Sequence, residues 1–330
     1  MVKRVGKAVI LGALLLLIIL SPVFGNGDHE KIRVVSFNIA ELGEGNHYLT
    51  RDEEGIAKIL FSLDPDLIAI QEVGVGEGGE EQVRVITGYL NRLAEKEGKP
   101  LYCSRVSKWK TGDERYAFIW REPVEKISEV KPMEDTRDYK GSVFVRRPVY
   151  CYFRAGDFDF YLMNVHLYTR IQRNSRGRIF EYKQLVNWIK AKLKGKEKDY
   201  IIVGDFNRHL DGKYFPRTRA WKVLAFDGFR EFYRFVLLEA IPEGVNVVKA
   251  PEDKYSTTET KRLAIYDQIL ISKGAYFEFG EKAEWGKNVG VLDFDNSPKY
   301  SGISTRKLKY IISDHRPIWA DFRVDLGDDD

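Results

Sequence analysis

Apolar residues recur along this chain in two rhythms. Short runs with β-like spacing occupy residues 32–38, 67–72, 158–166, 200–205, 266–272 and 317–322, and each meets polar residues at one end. The first ends in Ser36-Phe37-Asn38, the second in Gln71-Glu72, the third in Asn164-Val165-His166 and the fourth in Gly204-Asp205. The fifth is led by Asp267, and Ser313-Asp314-His315 precedes the sixth. Helix spacing links Ile56, Ile59, Leu60 and Leu63, then Val83, Ile86, Leu90 and Leu93, then Ile179, Tyr182, Val186, Ile189 and Leu193. From Cys103 to His166 the pattern predicts consecutive strands with no helix. That mixture predicts packed sheets with helices outside, an α+β or α/β layered fold. No repeat or low-complexity linker interrupts it, so one domain is expected over residues 26–330.

The first 25 residues stand apart from this pattern. Lys3, Arg4 and Lys7 precede an apolar run over residues 8–20, then Ser21-Pro22 and the small residues Val23 and Gly25. This is the pattern of a secretory signal peptide. The run is short of the ~20 apolar residues a membrane span needs, and no other stretch is apolar enough. The expectation is a secreted protein, free of the membrane after cleavage near Gly25; a retained anchor is the competing reading. Removing the leader's three positives from the formal charge of +4 leaves about +1. Net charge therefore does not mark a nucleic-acid binder, and any phosphate-binding surface must be local. In an exported protein the two cysteines, Cys103 and Cys151, invite a disulfide. Their strand-like surroundings leave buried thiols as the alternative, and no metal-like Cys/His spacing occurs.

One polar strand end is uninformative, but a set is different. Carboxylates leaving adjacent strands at one sheet edge converge, and convergent carboxylates bind a hard cation such as Mg²⁺. Two histidines beside them suit proton transfer or stabilisation of a pentacovalent phosphorus. The set Ser36-Phe37-Asn38, Gln71-Glu72-Val73, Asn164-Val165-His166, Gly204-Asp205-Phe206-Asn207, Tyr266-Asp267 and Ser313-Asp314-His315 resembles, in this order, the endonuclease/exonuclease/phosphatase superfamily. The resemblance runs from about residue 32 to 322. It implies a two-sheet β-sandwich flanked by helices. Glu114-Arg115-Tyr116 and Phe144-x-Arg146-x-Pro148 are similar to segments of its deoxyribonuclease I-like members.

The resemblance further implies Glu72 as principal ligand of Mg²⁺ or Mn²⁺, helped by Asn38 and Asp314. Asp205 and Asn207 would orient the attacking water. Glu114 would pair with His166 and Asp267 with His315, with Arg146 near the scissile phosphate. It also places the strand starting near Arg115 between the strands of Cys103 and Cys151. Next-but-one strands lie roughly 9.5 Å apart, whereas a disulfide needs Cα atoms within about 7 Å, so the thiols are expected to be free. Several positions depart from the subfamily. Gly112 stands for a DNA-contacting tyrosine, Gly74 for a minor-groove arginine and Ala40 for a phosphate-binding arginine. Ser142, Arg147 and Ser256 stand for acidic calcium ligands.

Other features have plainer readings. Gly74, Gly76, Gly78 and Gly79 could suggest a dinucleotide loop, but Glu77, Glu80 and Glu81 would repel a pyrophosphate, so a flexible surface loop is expected. Arg170, Arg173, Arg176 and Arg178 follow His166, and Arg208, His209, Lys213, Arg217 and Arg219 follow Asn207. Either group forms a solvated loop or a phosphate-contacting one; Arg170 and Arg173 are the candidates for substrate binding. Tyr168 and Tyr214 could stack on bases or simply pack. The six tryptophans, Trp109, Trp120, Trp188, Trp221, Trp285 and Trp319, are expected in the core. The expectation is a secreted, divalent-metal-dependent endonuclease acting on DNA, with RNA as a second substrate and no stable protein partner. A phosphatase or sphingomyelinase-like esterase on the same site is the alternative, and a binding module with a dead site the third reading.

Overall fold

The computed structural model describes residues 30–44, 51–109, 112–134, 144–168, 178–207, 266–272, 274–280 and 287–327. The leader, Arg170, Arg173, the basic residues after Asn207, Ser142 and Ser256 lie outside them.

One sheet takes strands β1 (Lys31–Leu42), β2 (Leu67–Gly74), β3 (Cys103–Val106), β4 (Glu114–Trp120), β11 (Val289–Val291) and β12 (Ile318–Arg323), in the order β11-β12-β1-β2-β4-β3. The other takes β5 (Glu125–Lys126), β6 (Lys131–Pro132), β7 (Val149–Ala155), β8 (Phe158–His166), β9 (Tyr200–Asp205) and β10 (Asp267–Ile271). Its order is β10-β9-β8-β7-β5, with β6 also on β7. Each sheet is antiparallel except for one inner pair. β1 runs parallel to β2, and β8 to β9. A parallel neighbour needs a crossover, and helices supply it: α1 (Glu53–Phe61) between β1 and β2, α3 (Arg178–Lys192) between β8 and β9. The first sheet also carries α2 (Glu77–Glu97) and α5 (Thr305–Ile311); α4 (Tyr276–Phe279) is a single turn.

Local signals fix the helix ends. The Asp52 carboxylate caps α1 by accepting from Gly55 N at 2.8 Å, and Glu53 and Glu54 complement the helix dipole. Gly98, at φ 65°, closes α2 in the left-handed conformation.

Alternation along the strands sorts side chains into three apolar layers. Ile32 and Val34 face the second sheet, with Leu67, Ala69, Tyr116, Phe118, Phe153, Phe160, Leu162, Ile201, Val203 and Phe322. Val35, Phe37 and Ile39 face outward onto Ile56, Leu60, Val83, Ile86 and Leu90 of α1 and α2. Met163, Val165 and Ile202 face outward onto Leu185, Trp188 and Ile189 of α3. The result is a helix–sheet–sheet–helix sandwich.

The inward stripe changes character toward one end. Along β1 it reads Ile32, Val34, Ser36, Asn38; along β2, Leu67, Ala69, Gln71. Along β8 it reads Phe158, Phe160, Leu162, Asn164, His166; along β9, Ile201, Val203, Asp205. Antiparallel β4 and β10 reach the same end with Glu114 and Asp267 as their first residues. The polar strand ends thus gather at one mouth of the sandwich.

Three expectations need correction. Cys103 and Cys151 are free, but not because a strand of one sheet lies between them. They belong to different sheets, β3 and β7, and only Cys151 is buried. Alternation tells which face a residue takes, not which sheet its strand joins. The glycine stretch reaches the surface at Gly76 and Gly78, as expected, but Gly74 and Gly79 are buried and closely packed. A Cβ on Gly79 would meet Gly74 O at 2.4 Å, and one on Gly43 would meet Gly79 N at 2.3 Å, so backbones of the β1 end and the α2 start are in direct contact. Trp109 is 53% exposed, whereas Trp188 and Trp319 are buried and Trp120 is partly so; Trp221 and Trp285 lie outside the described residues.

Candidate active site

Just below the mouth, a layer of buried amides ties the two sheets. Gln71 Nε2 donates to Asn164 Oδ1 at 2.7 Å and to Ser36 Oγ at 3.1 Å, and Asn164 Nδ2 donates to Ile70 O at 3.0 Å. Fully buried polar groups are costly unless bonded, so these three side chains fix how the sheets sit against each other.

Glu72 stands above this layer. The β2–β4 register shifts between Ile70 and Val73, and Glu72 takes a positive φ of 60°. That conformation is unfavourable for a side chain larger than glycine's. Its carboxylate is then held on both oxygens. Asn38 Nδ2 donates to Oε1 at 2.8 Å, and Glu41 N donates to Oε2 at 3.0 Å. Glu41 and Ala40 also have positive φ, 55° and 54°. Burial works to raise the Glu72 pKa, but the two imidazoles and the Asn38 amide outweigh it and hold the acid down at about 2.

Two carboxylate–imidazole pairs face each other. His166 Nδ1 lies 2.8 Å from Glu114 Oε1, and His315 Nδ1 lies 2.8 Å from Asp267 Oδ2. Each pair joins the two sheets: Glu114 is on β4 and His166 on β8, Asp267 on β10 and His315 just before β12. An ionised carboxylate only accepts, so Nδ1 of each ring carries the proton. Both Nε2 atoms then point at one oxygen, Asp205 Oδ2, at 3.6 Å from His166 and 3.7 Å from His315. Burial disfavours the charged His166 ring, yet Glu114, followed by Asp205 and Glu72, pushes its pKa up to about 9. Burial likewise works against the His315 cation, and Asp267 outweighs it, so its pKa lies well above the ordinary value. Ser313 joins His315 to β1, accepting from His315 N at 2.9 Å and donating to Asn38 O at 2.7 Å.

The remaining expected residues lie around this centre. Asp205 accepts from Asn38 Nδ2 at 3.1 Å and from Asn207 N at 2.6 Å. Asn207, at φ 52°, donates its side-chain amide to Leu167 O at 2.7 Å. Arg146 lies against the first pair, with Nε 3.0 Å from Glu114 Oε2 and Nη1 3.3 Å from His166 Nε2. Asp314 lines the cleft but turns toward Lys309 Nζ, 4.0 Å away.

A divalent cation fits this set. Single donor atoms of Glu72, Asp205 and His315 lie within 4.8 Å of one another, and two of the three are carboxylates, as a hard cation prefers. Asn38 directs its amide nitrogen at Glu72 and Asp205, while its oxygen accepts from Ala40 N at 3.0 Å. As placed, Asn38 orients those two carboxylates.

Two residues with no motif signal complete the site. Lys309 of α5 reaches Glu41 Oε1 at 3.1 Å and faces the cleft. Arg51 is buried, and its guanidinium donates to Ile312 O at 2.7 Å, Lys309 O at 3.0 Å and Ala40 O. It binds the positive-φ turn to the end of α5. An arginine just ahead of a helix reads as ordinary surface; no spacing in the sequence could have singled it out.

Two of the departures from the deoxyribonuclease I-like pattern, Gly112 and Gly74, sit where a side chain would be crowded. Gly112, at φ +74°, has Val145 O 2.8 Å from where its Cβ would be. A Cβ on Gly74 would lie 2.7 Å from Glu44 Cγ and 2.9 Å from Leu42 O. Neither a tyrosine nor an arginine fits at these positions without local rearrangement.

The cleft measures about 360 Å³. Glu41, Glu44, Glu72, Asp113, Glu114, Asp205 and Asp314 line it, against Arg146, Lys309 and the two imidazoles. Burial, then Asp113 and Glu41, raise the Glu44 pKa, as expected where acids crowd.

Known proteins are similar to this chain in sequence and in fold. The chain is 24% identical to human deoxyribonuclease gamma over 254 residues, which cover 75% of this chain and 78% of that protein. In structure it is similar to the human Nocturnin catalytic domain with bound sulfate anion, at a TM-score of 0.54 and 17% identity, covering 89% of this chain and 94% of that one. It is also similar to an endonuclease/exonuclease/phosphatase family protein from Bacteroides thetaiotaomicron, at a TM-score of 0.53 and 15% identity, covering 90% and 98%. The family's sequence pattern matches residues 35–315, from the middle of β1 to the second histidine of the site. Fold, site and sequence pattern agree that the chain belongs to the endonuclease/exonuclease/phosphatase family.

Proposed function

We propose that the protein is an exported, divalent-metal-dependent endonuclease that hydrolyses phosphodiester bonds of DNA, with RNA as a second substrate. One observation carries the chemistry: two carboxylate-backed imidazoles aim their Nε2 atoms at the same oxygen of Asp205. Such a pair can grip two oxygens of one phosphoryl group, and Asp205 between them can orient water for in-line attack. Asn207 supports Asp205. Arg146 adds a cation beside His166 for the phosphoryl oxygens. His166 and His315 hydrogen-bond those oxygens and assist the proton steps, in which the attacking water gives up a proton and the leaving oxygen gains one. Glu72 and Asp205 would hold Mg²⁺ or Mn²⁺, with Asn38 fixing their orientation and Asp314 nearby. A cation bound there supplies neutralisation of charge on the phosphoryl and leaving oxygens. The surplus of carboxylates supports metal dependence, since without a cation the cleft would repel a phosphodiester.

Similarity to a deoxyribonuclease favours a polynucleotide over a small headgroup. The arginines at positions 170 and 173 follow His166 in sequence and would extend that contact.

The test is a panel of supercoiled plasmid, single-stranded DNA, RNA, inositol phosphates and sphingomyelin, each with Mg²⁺ or Mn²⁺. Nicking of the plasmid, lost with chelator and on Glu72→Ala, is expected. Turnover of only the headgroup substrates would move the reading to a phosphatase or sphingomyelinase-like esterase. Full activity in chelator would overturn the metal assignment. Export predicts a mature amino terminus close to Asn26, which amino-terminal sequencing of secreted material checks; a leader retained in the membrane fraction would favour an anchor.

A further inference from the structure

Glu181 is a fully buried carboxylate to which the proposed chemistry gives no role. It lies in the first turn of α3, on the outer face of the second sheet. Its two oxygens accept from two separate stretches of chain. Oε1 takes the backbone N–H of Val145 at 2.8 Å, and Oε2 takes that of Tyr168 at 2.7 Å. Val145 immediately precedes Arg146. Tyr168 comes two residues after His166, where β8 has ended.

Those stretches meet in the cleft, where Arg146 Nη1 lies 3.3 Å from His166 Nε2. Arg146 belongs to no strand, since β7 begins only at Val149. Its backbone needs anchoring from elsewhere, and Glu181 provides this at the adjacent residue. A carboxylate bonded on both oxygens is a stiff two-pronged bracket, because its geometry sets the separation of the groups it holds. We infer that Glu181 is a positioning residue that sets the spacing between Arg146 and His166 by clamping the two chain segments that carry them. The inference rests on the reading of Arg146 and His166 as phosphate-contacting groups. Small errors in such spacing are expensive, as displacement of a catalytic group by about 1 Å can cost 10²-fold.

Glu181→Gln tests this with almost no change in volume. The amide keeps one acceptor, but its NH₂ group then faces a backbone N–H, donor against donor. Hydrolysis of bis(p-nitrophenyl) phosphate with Mn²⁺ should fall about 10-fold or more, chiefly in kcat. In an Arg146→Ala background the same change should cost less than about 3-fold, because the group being positioned is gone. Equal losses in both backgrounds would make Glu181 a purely structural residue and overturn the inference. A second measurement needs no turnover. In histidine-ring NMR of the full chain, Glu181→Gln should shift the His166 resonances and leave those of His315 nearly in place. Unchanged His166 resonances would overturn the inference as well. If Glu181→Gln does not fold, Glu181→Asp replaces it in both experiments, since the shorter acid reaches only one of the two amides. A wild-type protein inactive on every phosphodiester would sink the proposed function, while the NMR comparison would still decide the role of Glu181.

Discussion

His166 and His315 are equivalent in geometry but not in surroundings. Arg146 touches both members of the first pair, Glu114 and His166, whereas no such cation is seen against the second among the described residues. Removing either ring takes away one donor to the phosphoryl group; loss of His315 also leaves buried Asp267 without its imidazolium, whereas Glu114 keeps Arg146 when His166 is removed. Replacing either histidine with Ala should lower turnover roughly 10²-fold or more. The two losses should be less than additive if both act in one step. Steady-state kinetics of the single and double variants check this, and near-normal turnover of His166→Ala would disprove the arrangement. The family-like motifs marked both rings and both carboxylates: His166 ends β8, Glu114 and Asp267 open β4 and β10, and His315 lies just ahead of β12. They could not place Asp314, which shares a tripeptide with His315 yet turns to Lys309. The direction a side chain takes at a chain turn depends on backbone torsions that spacing does not encode.

At the level of elements, strands were legible and the ties between elements were not. Residues 158–166 and 200–205 read as strands to the residue, because an apolar run closed by a polar end marks its own limits. Arg51 lies outside every such pattern, yet it joins the end of β1 to α5 through three carbonyls. Arg51→Met would leave these buried acceptors unbonded, at about 1–3 kcal/mol for each one that finds no water. A drop in melting temperature of several degrees is expected. Mn²⁺ affinity should fall with it, because the Ala40–Glu41 turn that bonds Glu72 loses its anchor. Calorimetry of both quantities checks this, and unchanged metal binding would confine Arg51 to a structural role.

Glu134, just beyond β6, makes a second tie. Its carboxylate meets Tyr150 OH at 2.8 Å, Lys192 Nζ at 2.9 Å and the Trp188 indole N–H. Slight burial works against the charge, but the Trp188 and Lys192 bonds hold its pKa at about 2. A depressed acid stabilises the fold above its unfolded pKa near 4.5 and loses that contribution as pH falls toward 2. The side chain is 58% exposed, so screening limits its worth to under about 1 kcal/mol. Glu134→Gln should therefore lower stability slightly at pH 7 and have a smaller effect near pH 2, as denaturant unfolding at the two pH values would reveal.

At the scale of the whole molecule, the two-sheet sandwich follows from period-2 alternation, whereas the pairing of particular strands does not. The cysteines illustrate this, since the strands that carry them proved to be in different sheets. Calcium dependence is also a whole-molecule property. Serine at 142 and 256 and arginine at 147 cannot supply the carboxylates that a calcium site needs. Ca²⁺ should raise the melting temperature no more than Mg²⁺ does, and a large rise specific to Ca²⁺ would contradict this.

Each carboxylate–imidazole pair takes one member from either sheet, and this bears on how activity arises during folding. A chain with one sheet formed holds half of each pair and one face of the amide layer. No partly folded species can then possess a weakened copy of the site. Hydrolytic capacity should appear in a single step, at the closure of the two sheets. The unfinished chain is chemically silent, and activity recovered on refolding should follow the final docking event and lag behind secondary structure.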